Sequence, residues 1–196
     1  TPVSAPENHY VRIKADNRLE ADGTLRGTFT LTAEGQSDSN IRRIFTTGFQ
    51  SEWKSTMERQ LLAISPKARL LSVDYGKNPK DYQAAPIKIT FRYEIPDYAL
   101  KGEGEMFFRP MVMNNLYNQV RSYMWIDTSV ENRKYGFKDA CSRLVELDET
   151  IQLPAGYKLV SAVKDETMQG VGADFEGSLV QKGNKVLLHN RLALKK

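Results

Sequence analysis

The side chains in this sequence that could combine nucleophile and base at neutral pH are Cys141 and the two histidines, His9 and His189. A thiol beside an imidazole is the arrangement of a cysteine hydrolase, in which the ring takes the thiol proton. The spacing argues against it here. Cys141 falls in step with Val145 and Leu147, the apolar side of an alternating stretch, where a thiol behaves as a small inert hydrophobe. His189 falls in step with Lys185 and Arg191, opposite Val186, Leu188, Leu192 and Leu194, so it is expected to face water. His9 adjoins the polar, proline-bearing lead-in Thr1 to Pro6. The carboxylate pairs Glu103/Glu105 and Glu146/Asp148 have the chemistry of a glycosidase acid and base, but a spacing of two does no more than put both groups on one strand face. No catalytic residue is assigned.

A single cysteine excludes an internal disulfide and a multi-thiolate zinc site, and no run of acids has calcium-loop spacing. No glycine-rich phosphate loop, Gly-x-Ser-x-Gly elbow or His-Glu-x-x-His pair is present, so neither cofactor nor metal is expected. The stretch that stands out is Met106 to Trp125, with four of the six methionines plus Phe107, Phe108, Tyr117, Tyr123 and Trp125. Adaptable methionines among amphipathic rings suit a contact surface for a partner domain, a peptide or a sugar ring. The plainer alternative is that these rings plug one end of a sheet core.

These side chains need elements to hold them. Val11, Ile13 and Ala15 alternate with charged residues, and Asp22-Gly23 separates them from the alternation Leu25, Gly27, Phe29, Leu31, Ala33, which predicts a hairpin with one buried face. The period then lengthens. Ile41, Ile44, Phe45, Phe49, Trp53, Met57, Leu61 and Ile64 recur at helical steps after the capping candidates Ser37 to Asn40, which predicts one long amphipathic helix over about 40–64, stopped at Ser65-Pro66. Gly48 inside it costs about 1 kcal/mol relative to Ala. Strands are expected at 70–75, 87–95, 105–108, 141–153, 157–163, 173–181 and 185–194. The expected class is α+β, mostly β: antiparallel sheets in a sandwich-like arrangement with the long helix packed on one of them. The whole forms one β-rich unit, or two subdomains, 7–110 and 130–196, meeting near 110–130.

With 196 residues, 40% hydrophobic and 27% charged, the chain has the composition of a soluble globular domain. Its +4 charge and pI near 9.1 invite a nucleic-acid reading. Each half nevertheless holds 14 Lys/Arg against 12 Asp/Glu, and the longest basic runs are pairs, so a phosphate-tracking surface is not expected. No stretch approaches the roughly 18 apolar residues of a membrane span, and membrane insertion is not expected either.

One stretch carries a resemblance: Glu131-Asn132-Arg133-Lys134-Tyr135-Gly136-Phe137, then Arg143 through Leu153-Pro154-Ala155-Gly156-Tyr157. An Arg before an aromatic strand, followed by a charged strand ending in Leu-Pro-x-Gly-Tyr, resembles the carboxy-terminal β-rich domain of unknown function of bacterial transglutaminase-like exported proteins. The preceding hairpin–helix–strand order is similar to that region as well. The family's Cys–His–Asp triad belongs to a separate papain-like core, and after His189 no Asp or Glu follows, so no catalytic residue carries over. The resemblance implies a noncatalytic accessory module that packs on or positions such a core, exported to the periplasm or cell surface. Its partners would then be other domains of the same chain. A chain opening at Thr1-Pro2 without Met fits the tail of a larger protein. A carbohydrate- or peptide-binding β module using the aromatic and methionine surface is the alternative.

Overall fold

In the computed structural model, residues 4–83, 86–114, 134 and 141–195 are described. Among the described residues ten strands run in chain order: β1 (Tyr10–Leu19), β2 (Leu25–Ala33), β3 (Arg69–Asp74), β4 (Ile87–Ile95), β5 (Leu100–Lys101), β6 (Met106–Phe107), β7 (Arg143–Gln152), β8 (Val163–Gln169), β9 (Ala173–Lys182) and β10 (Lys185–Leu194). Eight of them form one continuous sheet, β3-β4-β2-β1-β7-β10-β9-β8, and β5 and β6 form a small ribbon beside it.

The sheet is mixed. Among the described residues its pairings are antiparallel except one: β1 runs parallel to β7, from Tyr10 opposite Leu144 to Arg18 opposite Gln152. Local hairpins explain the antiparallel pairs. Asp22 accepts the Thr24 amide at 2.9 Å while Gly23 takes a positive φ of 88°, and Gly183 turns β9 into β10 at φ 62°. The parallel pair joins distant parts of the chain, where sequence alternation carries no information about partner or direction, so the expected antiparallel sheets became one mixed sheet.

The expected helix over 40–64 is two short helices, α1 (Gln36–Thr46) and α2 (Trp53–Leu62), joined by a single 3-10 turn at Gln50–Glu52. The break has local causes. Thr46 and Thr47 both turn their hydroxyls back on the Arg43 carbonyl, at 3.3 and 2.9 Å, competing with the helical ladder just before Gly48. Phe49 then adopts extended backbone and stands 76% exposed, whereas the helical period had placed it inward. The Trp53 indole N–H donates to the Phe45 carbonyl at 3.3 Å, closing the gap. At the other end α1 begins at Gln36, four residues before the expected start, because Gly35 turns the chain at φ 62° and His9 Nδ1 accepts the Gln36 amide at 3.1 Å.

The core lies on one face of the sheet. Val11, Ile13, Ala15 and Leu19 from β1, Leu25, Phe29, Leu31 and Ala33 from β2, and Ile87 to Ile95 at alternate positions of β4 meet Ile41, Phe45, Trp53, Met57 and Leu61 from the helices. Phe45, Trp53 and Tyr75 pack edge to face with centroids 5.2–5.7 Å apart. The same face continues across β7 and β10 through Ile151, Val186 and Leu188, where it meets Met111 and Val112. Of the remaining sequence expectations, β8 lies at 163–169, later than the expected 157–163, and Cys141 precedes β7 and is half-buried.

Candidate functional site

The helices cover the β1–β4 part of the core face. On the β7–β10 part the chain leaves a groove of about 760 Å³. Its floor is apolar: Leu19, Ile151 and Val186, each almost fully buried, with Leu179 beside them. One wall is the segment from Met106 to Pro110, and the other is the loop from Leu153 to Ser161. Phe107 stands 61% exposed at the rim, while Phe108 and Met106 are partly buried against the core. A concave, mostly apolar site with few polar groups is the usual form of a binding groove.

Local chemistry fixes both walls. Leu-Pro-Ala-Gly-Tyr forms its turn through Gly156 at φ 85°, the Leu153 amide bonds the Asn184 carbonyl at 2.8 Å, and Gln181 accepts the Leu159 amide at 2.7 Å. Opposite, the Tyr98 hydroxyl donates to the Arg109 carbonyl and accepts from Asn114, both at 2.6 Å. Beneath that wall is a buried polar cluster. Glu149, 2% exposed, accepts from Asn17 Nδ2 at 2.7 Å and from the Val112 amide at 3.0 Å. The Tyr93 hydroxyl donates to Asn17 Oδ1 at 2.6 Å. Burial holds the Glu149 carboxyl above its usual range, against the lowering pull of those donors, and burial likewise raises Tyr93.

Sequence reasoning did not single out Glu149. The signal was present, since its step matches Leu147 and Ile151, placing a carboxylate on the apolar face. Of the expected contact residues, Phe107 and Phe108 line the groove, and Tyr117, Tyr123 and Trp125 lie outside the described residues.

The opposite face carries rows of charge. Arg12 pairs with Glu146, which Arg191 approaches at 3.7 Å, and His189 Nδ1 bonds Asp148 at 2.7 Å. His189 is partly exposed on this face, as its alternation with Val186 and Leu188 requires. Cys141 and His189 are not brought together. His189 sits opposite Asp148, five residues along β7 from Arg143, about 16 Å at strand rise, and Cys141 lies beyond that end. Ser178 is the cross-strand partner of His189 in a cleft of about 590 Å³. The cleft also holds the carboxylates Asp16, Asp148 and Asp165 and the cations Lys14 and Lys182. Glu103 and Glu105 are exposed around the β5–β6 turn, and Glu146 and Asp148 are engaged with Arg12 and His189. Among the described residues no group of three or more His, Cys, Asp or Glu is placed to hold a metal, and no helix is long and apolar enough to cross a membrane.

Residues 104–196 match the family of domains of unknown function DUF3858, described as having a solved structure. No curated protein matches the chain, and no solved structure does.

Proposed function

We propose that the chain is a noncatalytic accessory region of an exported, periplasmic or cell-surface transglutaminase-like protein, and that the apolar groove is where it packs on or positions the catalytic core. The observation that carries this reading is the location of the groove. Every residue lining it except Leu19 falls within the stretch that matches DUF3858, and both walls and most of the floor are built by that stretch. The resemblance of the Leu153–Tyr157 turn to the carboxy-terminal domain of transglutaminase-like proteins supplies the kind of partner. An exposed phenylalanine above an apolar floor is the anchor geometry of a domain interface.

The test is made in the parent protein. A photoreactive p-benzoylphenylalanine replacing Phe107 is expected to cross-link to a papain-like core encoded in the same reading frame, in protein recovered from the periplasm or cell surface. A parent frame without a Cys–His–Asp core overturns the proposal. Cross-linking to a peptide or glycan, with no contact to such a core, would favour the binding-module reading that the ring at Phe107 also supports.

A further inference from the structure

The first turn of α1 is capped from outside the helix. Gly35, at the N-cap position, has no side chain to offer, and the Asp38 and Ser39 amides turn back to the Glu34 and Gly35 carbonyls at 3.4 and 3.1 Å. The Gln36 amide goes instead to His9 Nδ1, at 3.1 Å, at the end of the 3-10 turn Pro6–His9. The ring comes this close because Gly35 is bare: a Cβ there would lie 2.4 Å from His9 Nδ1 and 2.2 Å from the Asn8 carbonyl. The His9 carbonyl accepts the Ser37 hydroxyl at 3.0 Å, so one residue holds the first two positions of the helix.

The direction of the ring bond is fixed by its partner. A backbone amide can only donate, so the imidazole must present a lone pair at Nδ1 and carry its hydrogen on Nε2. Protonation turns Nδ1 into a second donor facing the amide, and sets a positive charge at the positive end of α1. The capped state therefore takes only the neutral ring, whereas the open state takes either form. By linkage, capping is complete at high pH and is lost as the pH falls through the ring's titration. Carboxylates beside the ring would oppose this by favouring its cation. Those on the surrounding elements are engaged elsewhere or wet: Glu7 on the same turn pairs with Arg191 of β10 at 3.1 Å, and Asp38 of α1 pairs with Arg42 at 2.6 Å. Glu146 of β7 pairs with Arg12 of β1, and Glu34 is exposed, within electrostatic reach of the Tyr10 hydroxyl, where water screens its pull. Arg143, the first residue of β7, adds a further cation on a strand packed against the Pro6–His9 turn.

We propose that His9 is an acid-sensitive cap for α1: neutral, it seats the start of the helix on the turn that leads into β1, and protonated, it releases it. The release is confined to the first turn. Asp38 also holds the Ile87 amide, and Arg42 the Pro79 and Asp81 carbonyls, by bonds that do not involve the ring.

NMR and hydrogen exchange on the intact chain test it. At pH 8 the ring nitrogen shifts of His9 should show the Nε2–H tautomer. From pH 8 to pH 5, protection of the Gln36 amide, corrected for intrinsic exchange, is expected to fall about fivefold, the size of a typical lost N-cap bond, while the Ile87 amide stays level. The Gln36 change and the His9 ring should share one midpoint. His9→Asn, which keeps a side-chain acceptor and cannot titrate in this range, should give a flat Gln36 profile, and His9→Ala low protection throughout. The tautomer and the shared midpoint are read in the unaltered protein, so they decide the matter if the Asn side chain does not reach the helix. An Nδ1–H tautomer, Gln36 protection that is flat or rises on acidification, separate midpoints for ring and amide, or an Asn variant that follows the wild-type profile overturns the cap. None of these results depends on the partner proposed for the groove.

Discussion

Gly27 and Asn17 face each other across β1 and β2 and decide how the polar cluster fits inside an apolar sheet face. A Cβ on Gly27 would lie 1.9 Å from Asn17 Oδ1 and 2.4 Å from the Asp16 carbonyl, so even a methyl group cannot be admitted without moving backbone. Gly27→Ala is expected to destabilise the protein by about 2–3 kcal/mol, in the range of overpacked cores, and urea denaturation monitored by tryptophan fluorescence measures it. The same substitution displaces Asn17, so it should also lower protection of the Val112 amide. Read as sequence, Gly27 is simply a small residue in a strand, and its role shows only when Asn17 is known to be opposite.

At the scale of elements, α1 is tied to the β3–β4 connection by one buried cation. Arg42, 2% exposed, bonds Asp38 at 2.6 Å and the carbonyls of Pro79 and Asp81 at 3.0 and 2.8 Å. Asp38 in turn accepts the Ile87 amide at 2.7 Å, at the first residue of β4. Arg42→Ala leaves a carboxylate and two carbonyls without their donor, and is expected to cost about 3–5 kcal/mol in the same denaturation experiment. Alternation made β1, β2 and β4 legible almost to their ends, since one face of each is buried and the other wetter. The helical stripe was legible as residues, because Ile41, Phe45, Trp53, Met57 and Leu61 are all in the core. Its continuity was not: the break between Thr46 and Trp53 preserves the buried set while ending one helix and starting another. The groove was legible only through Phe107 and Phe108, as its floor comes from four strands scattered along the chain.

For the whole molecule, the pairing of β1 with β7 is what makes one sheet from two runs of strands. The family match begins at Gly104, so β1, outside the matched stretch, completes the edge of a strand inside it. The join is reinforced by side chains, Arg12 to Glu146 and Asn17 to Glu149. A protease site placed in the exposed Gly102–Gly104 turn tests how strong it is. After cleavage of the folded chain, the two fragments are expected to co-elute as one species under native conditions and to separate only in denaturant; fragments that part in native buffer would show that the strand pairing is not sufficient.

That single parallel ladder also sets when the fold can be completed. Arg12 and Glu146 are 134 residues apart, so the loop closed by their pairing spans most of the chain. The β1–β2 hairpin can form as soon as it is synthesised, but β1 keeps an unpaired edge until β7 has left the ribosome. For that interval a strand with an apolar face lies open beside its own hairpin, which makes the newborn chain, far more than the finished one, the form that needs protection from aggregation.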